Sequence, residues 1–229
     1  MPGLVLLAGL GLLGLFDAGL GALLAATALT MLTAAMVLHL AGRHGAAIGW
    51  ASRVTLARAG LVAVLAAGLL EPALYKNHGW LVAGLALLAL VLDGIDGWLA
   101  RRLDECSAFG ARFDMEVDAA LILVLCLGVI AAGLAGPWVL LIGLMRYGFV
   151  AAACFLPWLG RPLPPSFRRK LVCVWQVSAL LLALSPIVSP SMATGLLLAA
   201  LAGLVLSFAI DVAWLQRHRP IPHLFPESS

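Results

Sequence analysis

Residues 93–118 read DGIDGWLARRLDECSAFGARFDMEVD. Five of the chain's seven aspartates lie within this stretch. Asp93 and Asp96 are three residues apart, and Asp114 and Asp118 are four apart, so each pair shares one face of a helix. Carboxylates within apolar spans are costly unless they are paired, bind a metal or face a wet cavity, which makes this stretch the first candidate for a functional site.

The composition around this stretch is that of an integral membrane protein. Hydrophobic residues make up 63% of the 229 residues and charged residues only 11%, and the mean hydropathy is +1.09. Soluble domains carry about 25% charged residues. The sequence therefore predicts an all-α integral membrane protein with the lipid bilayer as its surroundings. A net charge of +3 gives no basic excess that would favour nucleic acid as a partner.

Apolar runs and their breaks predict a six-span core over residues 51–215. The expected spans are 54–70, 80–101, 108–133, 137–157, 171–184 and 192–210. Residues 71–78 are expected to form a loop, and Asp211 is expected to end the last span near water. Residues 216–229 are expected to form a polar cytoplasmic tail.

Residues 1–50 are expected to form an N-terminal transmembrane hairpin followed by a basic segment. Residues 3–40 are apolar and too many for one span of about 20 residues. Glycine and aspartate near 14–21 favour a break between two short spans, and one long tilted helix is the alternative.

Lysine and arginine placement predicts the orientation in the membrane. If the spans alternate, Lys76 falls on one side and Arg146 within a span. The remaining basic residues all fall on the other side: Arg43, Arg53, Arg58, Arg101, Arg102, Arg112, Arg161, Arg168, Arg169, Lys170, Arg217 and Arg219. This side, which includes the aspartates, is expected to face the cytoplasm.

Helices 80–101 and 108–133 are expected to be antiparallel neighbours whose facing stripes bring four carboxylates together. Four ionised aspartates repel one another strongly, so either some are protonated or divalent cations neutralise them. Oxygen ligands select Mg²⁺ or Mn²⁺, and two ions roughly 4 Å apart suit a phosphoryl-type displacement. Gly97, Ala100 and Gly110 lie on the same stripes and leave room for a ligand, although small residues also simply allow close helix packing.

The spacing D-x2-D-G-x2-A-R-x8-G-x3-D-x3-D resembles the motif of the CDP-alcohol phosphotransferase family. The matching residues are Asp93, Asp96, Gly97, Ala100, Arg101, Gly110, Asp114 and Asp118. The closest resemblance is to bacterial phosphatidylglycerophosphate synthase-like members. It implies a metal-dependent phosphatidyltransferase of phospholipid biosynthesis in the bacterial inner membrane. Relatives are often dimers, so a homodimer is an expectation of the resemblance.

The resemblance also implies roles for the motif residues. The aspartates would hold two Mg²⁺ or Mn²⁺ ions, and Asp118 would contribute to one site and act as general base. Contacts to the CDP moiety would come from Gly97, Arg101 and Ser107, while Ala100 and Gly110 would allow its close approach.

Outside the motif, Thr55 and Arg58 resemble a T-x-x-R stretch that lies near the donor diphosphate in the family. Ser52 replaces an asparagine that is frequent in relatives. Lys170 begins a weak match to a K-x-x-T-x-x-Q stretch, in which Cys173 replaces threonine and Gln176 is the final residue.

The implied reaction moves a substituted phosphate from a CDP-alcohol, here CDP-diacylglycerol, to an acceptor hydroxyl and releases CMP. Arg146 is a mid-span cation that either binds an acceptor phosphate, with Arg58 and Lys170, or pairs with an aspartate. Glycerol 3-phosphate and inositol phosphate are the acceptors that fit the first interpretation. Serine, choline, inositol and diacylglycerol are the alternatives. A transporter that uses intramembrane carboxylates is the rival from another class, but it predicts an internal repeat that the sequence does not show clearly.

Overall fold

The described part of the chain consists of helices joined by short connections. The structure, a computed structural model, describes residues 11, 19–43, 50–102, 108–161, 163–164 and 166–218. Its α-helices are α1 (Leu20–Arg43), α2 (Trp50–Gly68), α3 (Pro72–Asn77), α4 (Gly79–Arg102), α5 (Ala108–Ala131), α6 (Leu140–Phe155), α7 (Phe167–Leu184) and α8 (Pro190–Arg217), with 3₁₀ turns at Pro137–Val139 and Pro157–Gly160. These residues contain no strand, which confirms the all-α prediction.

Two described segments are long and apolar enough to cross a bilayer by length and composition. They are Pro137–Phe155, with a mean hydropathy of 1.8, and Pro190–Arg217, with 2.4. Shorter apolar stretches lie in α1, α2 and α4. The first turns of α5 carry Arg112 and the motif acids. The length and composition of these described helices agree with the expected all-α membrane protein.

The N-terminal hairpin stays an expectation, because residues 1–10 and 12–18 lie outside the described part. The second half of that region forms α1, which begins just after Gly19. Small residues of α1 pack along α2: Ala22 and Ala26 are buried, and the methyl group of Thr30 lies beside Gly60.

Helix α2 lies at the centre of the bundle and supplies much of its apolar core. It packs along α1, α4 and α5, and Leu61, Val64 and Leu65 are buried there. The expected direct pairing of α4 with α5 is not what the described residues show. These two helices make few close backbone contacts with each other, and each packs instead on α2 and α7. The carboxylates of α4 and α5 therefore come together without close backbone packing between these two helices.

The segment predicted as a loop, residues 71–78, contains the short helix α3. Pro72 begins it, where its missing N–H costs nothing. The Tyr75 ring is buried, and its hydroxyl donates to the Leu65 carbonyl at 2.7 Å. A Cβ atom at Gly128 of α5 would lie 2.2 Å from this ring, so only glycine admits it. The contact joins α3, α2 and α5 at the end of the bundle remote from the motif.

Candidate active site

Three motif aspartates converge in the structure. Asp93 lies on α4, and Asp114 and Asp118 lie one turn apart on α5. One carboxylate oxygen from each lies within 4.8 Å of the others. Their side chains are 34%, 38% and 41% exposed, respectively, so the cluster is open to solutes. The i to i+4 spacing predicted this shared face of α5 correctly.

Arg58 of α2 lies among these carboxylates and is fully buried. Its Nη1 donates to Asp93 Oδ1 at 2.5 Å. Its Nη2 donates to Asp114 Oδ1 at 2.5 Å and to Asp118 Oδ1 at 3.0 Å, and also to the Asp114 carbonyl at 3.2 Å. One guanidinium therefore ties together α2, α4 and α5. The family resemblance implies a position for Arg58 near the donor diphosphate, which stays a prediction, and the structure places its guanidinium against the aspartates.

The other motif positions are described to different extents. Gly97 and Gly110 are half-buried on α4 and α5, and Thr55 is buried one turn before Arg58. Ser107 lies outside the described residues, as do the side chains of Asp96, Ala100 and Arg101. Their assignments stay predictions.

Arg146 of α6 pairs with Glu116 and with no motif aspartate among the described residues. Its Nη2 donates to Glu116 Oε1 at 2.8 Å and its Nη1 to the Met115 carbonyl at 2.7 Å. Glu116 lies two residues from both Asp114 and Asp118, which places its side chain on another side of α5. The sequence predicted that Glu116 faces away from the aspartates, but it did not predict that Arg146 is its partner.

The basic residues at the start of α7 form a second cluster. Arg168 donates to Asp211 and to the Ser207 hydroxyl of α8, and Arg169 Nη1 lies 3.9 Å from Asp211 Oδ2. Asp211 is only 13% exposed, and α8 continues to Arg217, so this acid does not end the span near water as expected. Arg168 gives this largely buried carboxylate a counter-ion, without which its burial would be strongly unfavourable. Lys170 is exposed on the first turn of α7.

The aspartate cluster fits a hard divalent cation. It offers three carboxylate oxygens at short mutual distance, the ligand type that Mg²⁺ and Mn²⁺ prefer. When all three are ionised, they carry three negative charges against the single positive charge of Arg58. The excess negative charge leaves the cluster able to attract a cation.

A protein-family model described as CDP-alcohol phosphatidyltransferase matches residues 48–209. The match begins just before α2 and ends near the end of α8, and it includes every described residue of the aspartate cluster. No curated protein and no solved structure matches the chain.

Proposed function

Because the chain belongs to the CDP-alcohol phosphatidyltransferase family, we propose that it moves the phosphatidyl group of CDP-diacylglycerol to an alcohol and releases CMP. The convergence of Asp93, Asp114 and Asp118 carries this proposal. A purely structural set of helices has no need of three carboxylates within 4.8 Å of one another in an apolar bundle.

Two Mg²⁺ or Mn²⁺ ions would be held by Asp93, Asp96, Asp114 and Asp118. When bound, such ions would neutralise the donor diphosphate and the charge of the departing CMP. Gly97, Ala100, Arg101, Ser107 and Gly110 remain the proposed contacts of the CDP moiety. Thr55 and Arg58 remain the proposed neighbours of the diphosphate.

Asp118 would act as the general base. It would accept the proton of the acceptor hydroxyl while the acceptor oxygen forms a bond to the β-phosphorus. The bond from that phosphorus to the bridging oxygen would break, and its electron pair would leave with CMP. The hydrogen bond from Arg58 Nη2 to Asp118 Oδ1 would orient the base.

The site would face the cytoplasm at a bacterial inner membrane. The protein would form a homodimer, and the members of the family that it most resembles would be the phosphatidylglycerophosphate synthases. The bias of basic residues supports the orientation. The acceptor is either a phosphorylated polyol, such as glycerol 3-phosphate or inositol phosphate, or an unphosphorylated alcohol. Arg146 and Lys170 are the residues proposed to bind the phosphate group of a phosphorylated polyol acceptor.

CMP release tests this proposal directly. Purified full-length protein is incubated with CDP-diacylglycerol, Mg²⁺ and a panel of alcohols, and free CMP is measured. We expect release that requires both an acceptor and the metal and that stops on exhaustive chelation. Full activity after chelation, or no release with any acceptor, would contradict the proposal and favour the transporter class.

A further inference from the structure

A cavity of about 490 Å³ lies at the end of the bundle remote from the aspartate cluster. Gly79, the first residue of α4, lines this cavity, whereas Asp93 lies much further along the same helix. At 1.5 Å per residue these two positions are about 21 Å apart along the helix axis. This distance is most of the roughly 30 Å of a bilayer's hydrocarbon core. The cavity therefore lies near the membrane surface opposite the aspartates and is separate from the site described above.

The wall of this cavity combines polar and apolar side chains from different segments. The connection between α3 and α4 supplies polar side chains, namely Lys76, Asn77 and His78. The segments that follow α5 and α7 supply apolar side chains, including Leu134 and Val188. The volume is within the range of small-molecule sites. An amphiphile with a polar head group and an apolar body would cover both kinds of wall, whereas a small free ion would leave the apolar side chains uncovered.

The charge of this wall favours an anion. Lys76 lines the cavity, no lining residue is acidic, and Lys76 belongs to no ion pair among the described residues. Glu71 is the acid nearest to Lys76 in the sequence, and its carboxylate lies against the start of α1. Its Oε1 is 2.6 Å from the position that a Cβ atom of Gly19 would occupy. An anionic group in the cavity would therefore meet a cation that has no acidic partner within the described protein.

The neighbouring side chains are typical of a membrane–water interface. The ring of Trp80, which also lines the cavity, is 61% exposed, and Ile187 beside the cavity is 66% exposed. Tryptophan is enriched at the depth of the lipid head groups, and a lysine can extend its ammonium group to the same depth while its methylene groups cover apolar surface. The cavity is therefore open at the level where phospholipid phosphates lie.

From these observations we infer that the cavity binds an anionic phospholipid of the leaflet opposite the aspartate cluster. The Lys76 ammonium group pairs with the lipid phosphate, and the glyceride part of the lipid packs against the apolar wall. The bound lipid joins the α3–α4 connection to the α7–α8 connection and thereby stabilises the folded protein. Because the cavity is remote from the aspartates, this inference does not depend on the proposed reaction.

Thermal unfolding of the full-length protein in detergent tests the identity of the ligand. Phosphatidylglycerol, phosphatidylcholine or inorganic phosphate is added in the presence of a chelator. We expect phosphatidylglycerol to raise the thermal midpoint and the other two to change it little. An equal rise with phosphatidylcholine would overturn the preference for an anionic lipid. An equal rise with inorganic phosphate, or no rise with any of the three, would overturn the lipid site itself.

Substitutions in the cavity wall test its location. The apparent affinity for phosphatidylglycerol is taken from the dependence of the midpoint on lipid concentration. Lys76→Gln, at an exposed position, should weaken this affinity by about fivefold. Ala132→Leu keeps Lys76 and adds a larger side chain to the cavity wall, so it should also weaken binding.

Arg217→Gln is the matched control, because it removes one exposed positive charge at the other end of the bundle. This variant should bind phosphatidylglycerol as the parent does. An affinity unchanged by Lys76→Gln would overturn the assignment of the lipid to this cavity. A loss in Arg217→Gln as large as that in Lys76→Gln would overturn it as well, since the lipid would then respond only to the overall charge.

Discussion

The positive charge of Arg58 reduces the repulsion among the three carboxylates that surround it. We predict that Arg58→Gln destabilises the metal-free protein by about 3 kcal/mol, because truncating one partner of a buried ion pair leaves the other charges uncompensated. Added Mg²⁺ should then raise the thermal midpoint more in the variant than in the parent, since the ion supplies the missing positive charge. The measurement is thermal unfolding in detergent with and without Mg²⁺.

Arg146→Gln is the matched control for this prediction. Arg146 also forms an ion pair, but its partner Glu116 is 58% exposed, and an exposed pair contributes at most about 1 kcal/mol. Equal stability losses in the two variants would contradict the special role given to Arg58.

Asp118 combines a structural contact with the proposed chemistry. Asp118→Asn keeps an oxygen that can accept from Arg58 Nη2, so we expect the fold to survive. Transfer should fall by at least about 10²–10⁴-fold, since the amide cannot take the acceptor proton. CMP release by purified variant and parent provides the measurement. A variant with near-normal turnover would show that another group is the base.

At the scale of the elements, α3 packs against α5 at a position where α5 has a glycine, Gly128. We predict that Gly128→Ala destabilises the protein by about 1–3 kcal/mol, because the added Cβ would lie 2.2 Å from the Tyr75 ring. Gly84→Ala in α4 is the control, since nothing lies within 4 Å of its added Cβ, and alanine favours the helix. Thermal midpoints compare the two. Similar midpoints for both variants would mean that the ring can move aside at little cost.

Burial of Tyr75 also predicts a pH dependence. Burial raises the pKa of its phenol in the folded protein. The stability that Tyr75 adds is therefore complete below the unfolded pKa of about 10 and is lost as the pH rises above it. We expect the parent to be more stable than Tyr75→Phe at pH 8, and this advantage to shrink above pH 10. A constant difference between pH 8 and pH 11 would contradict the prediction.

The sequence predicted where the helices begin and end better than it predicted which helices and side chains contact one another. Long apolar runs separated by turn residues, such as Gly136 and Pro137, mark helix limits well. The short helix α3 was missed because six residues carry almost no periodic signal. Aspartate spacing predicted which carboxylates share a face. The contacts of Arg58 with the aspartates could not be predicted, because the apolar residues of α2 are spread around the helix and do not show which face meets which partner. The counter-ion of Asp211 lies 43 residues away and has no local signal.

At the scale of the whole molecule, the site links three helices, so a bound cation should stabilise all of them together. We expect Mg²⁺ or Mn²⁺ to raise the thermal midpoint of the parent and chelation to reverse this, because a ligand that binds only the folded state stabilises it by mass action. Asp114→Asn should reduce the shift. Glu116→Gln, the corresponding loss of charge two residues away, should leave it intact. A shift equal in both variants would indicate that the cation binds elsewhere.

The contact of Arg58 with both Asp93 and Asp114 has a consequence for biosynthesis. Asp93 follows Arg58 by 35 residues and Asp114 by 56. The ribosome therefore adds Arg58 to the chain before it adds either counter-ion. Until those later segments emerge, the guanidinium has neither of these two acids as a counter-ion. The contacts that join α2 to α4 and α5 through Arg58 can therefore form only after Asp93 and Asp114 have been synthesised. The second of these acids follows Arg58 by more than fifty residues.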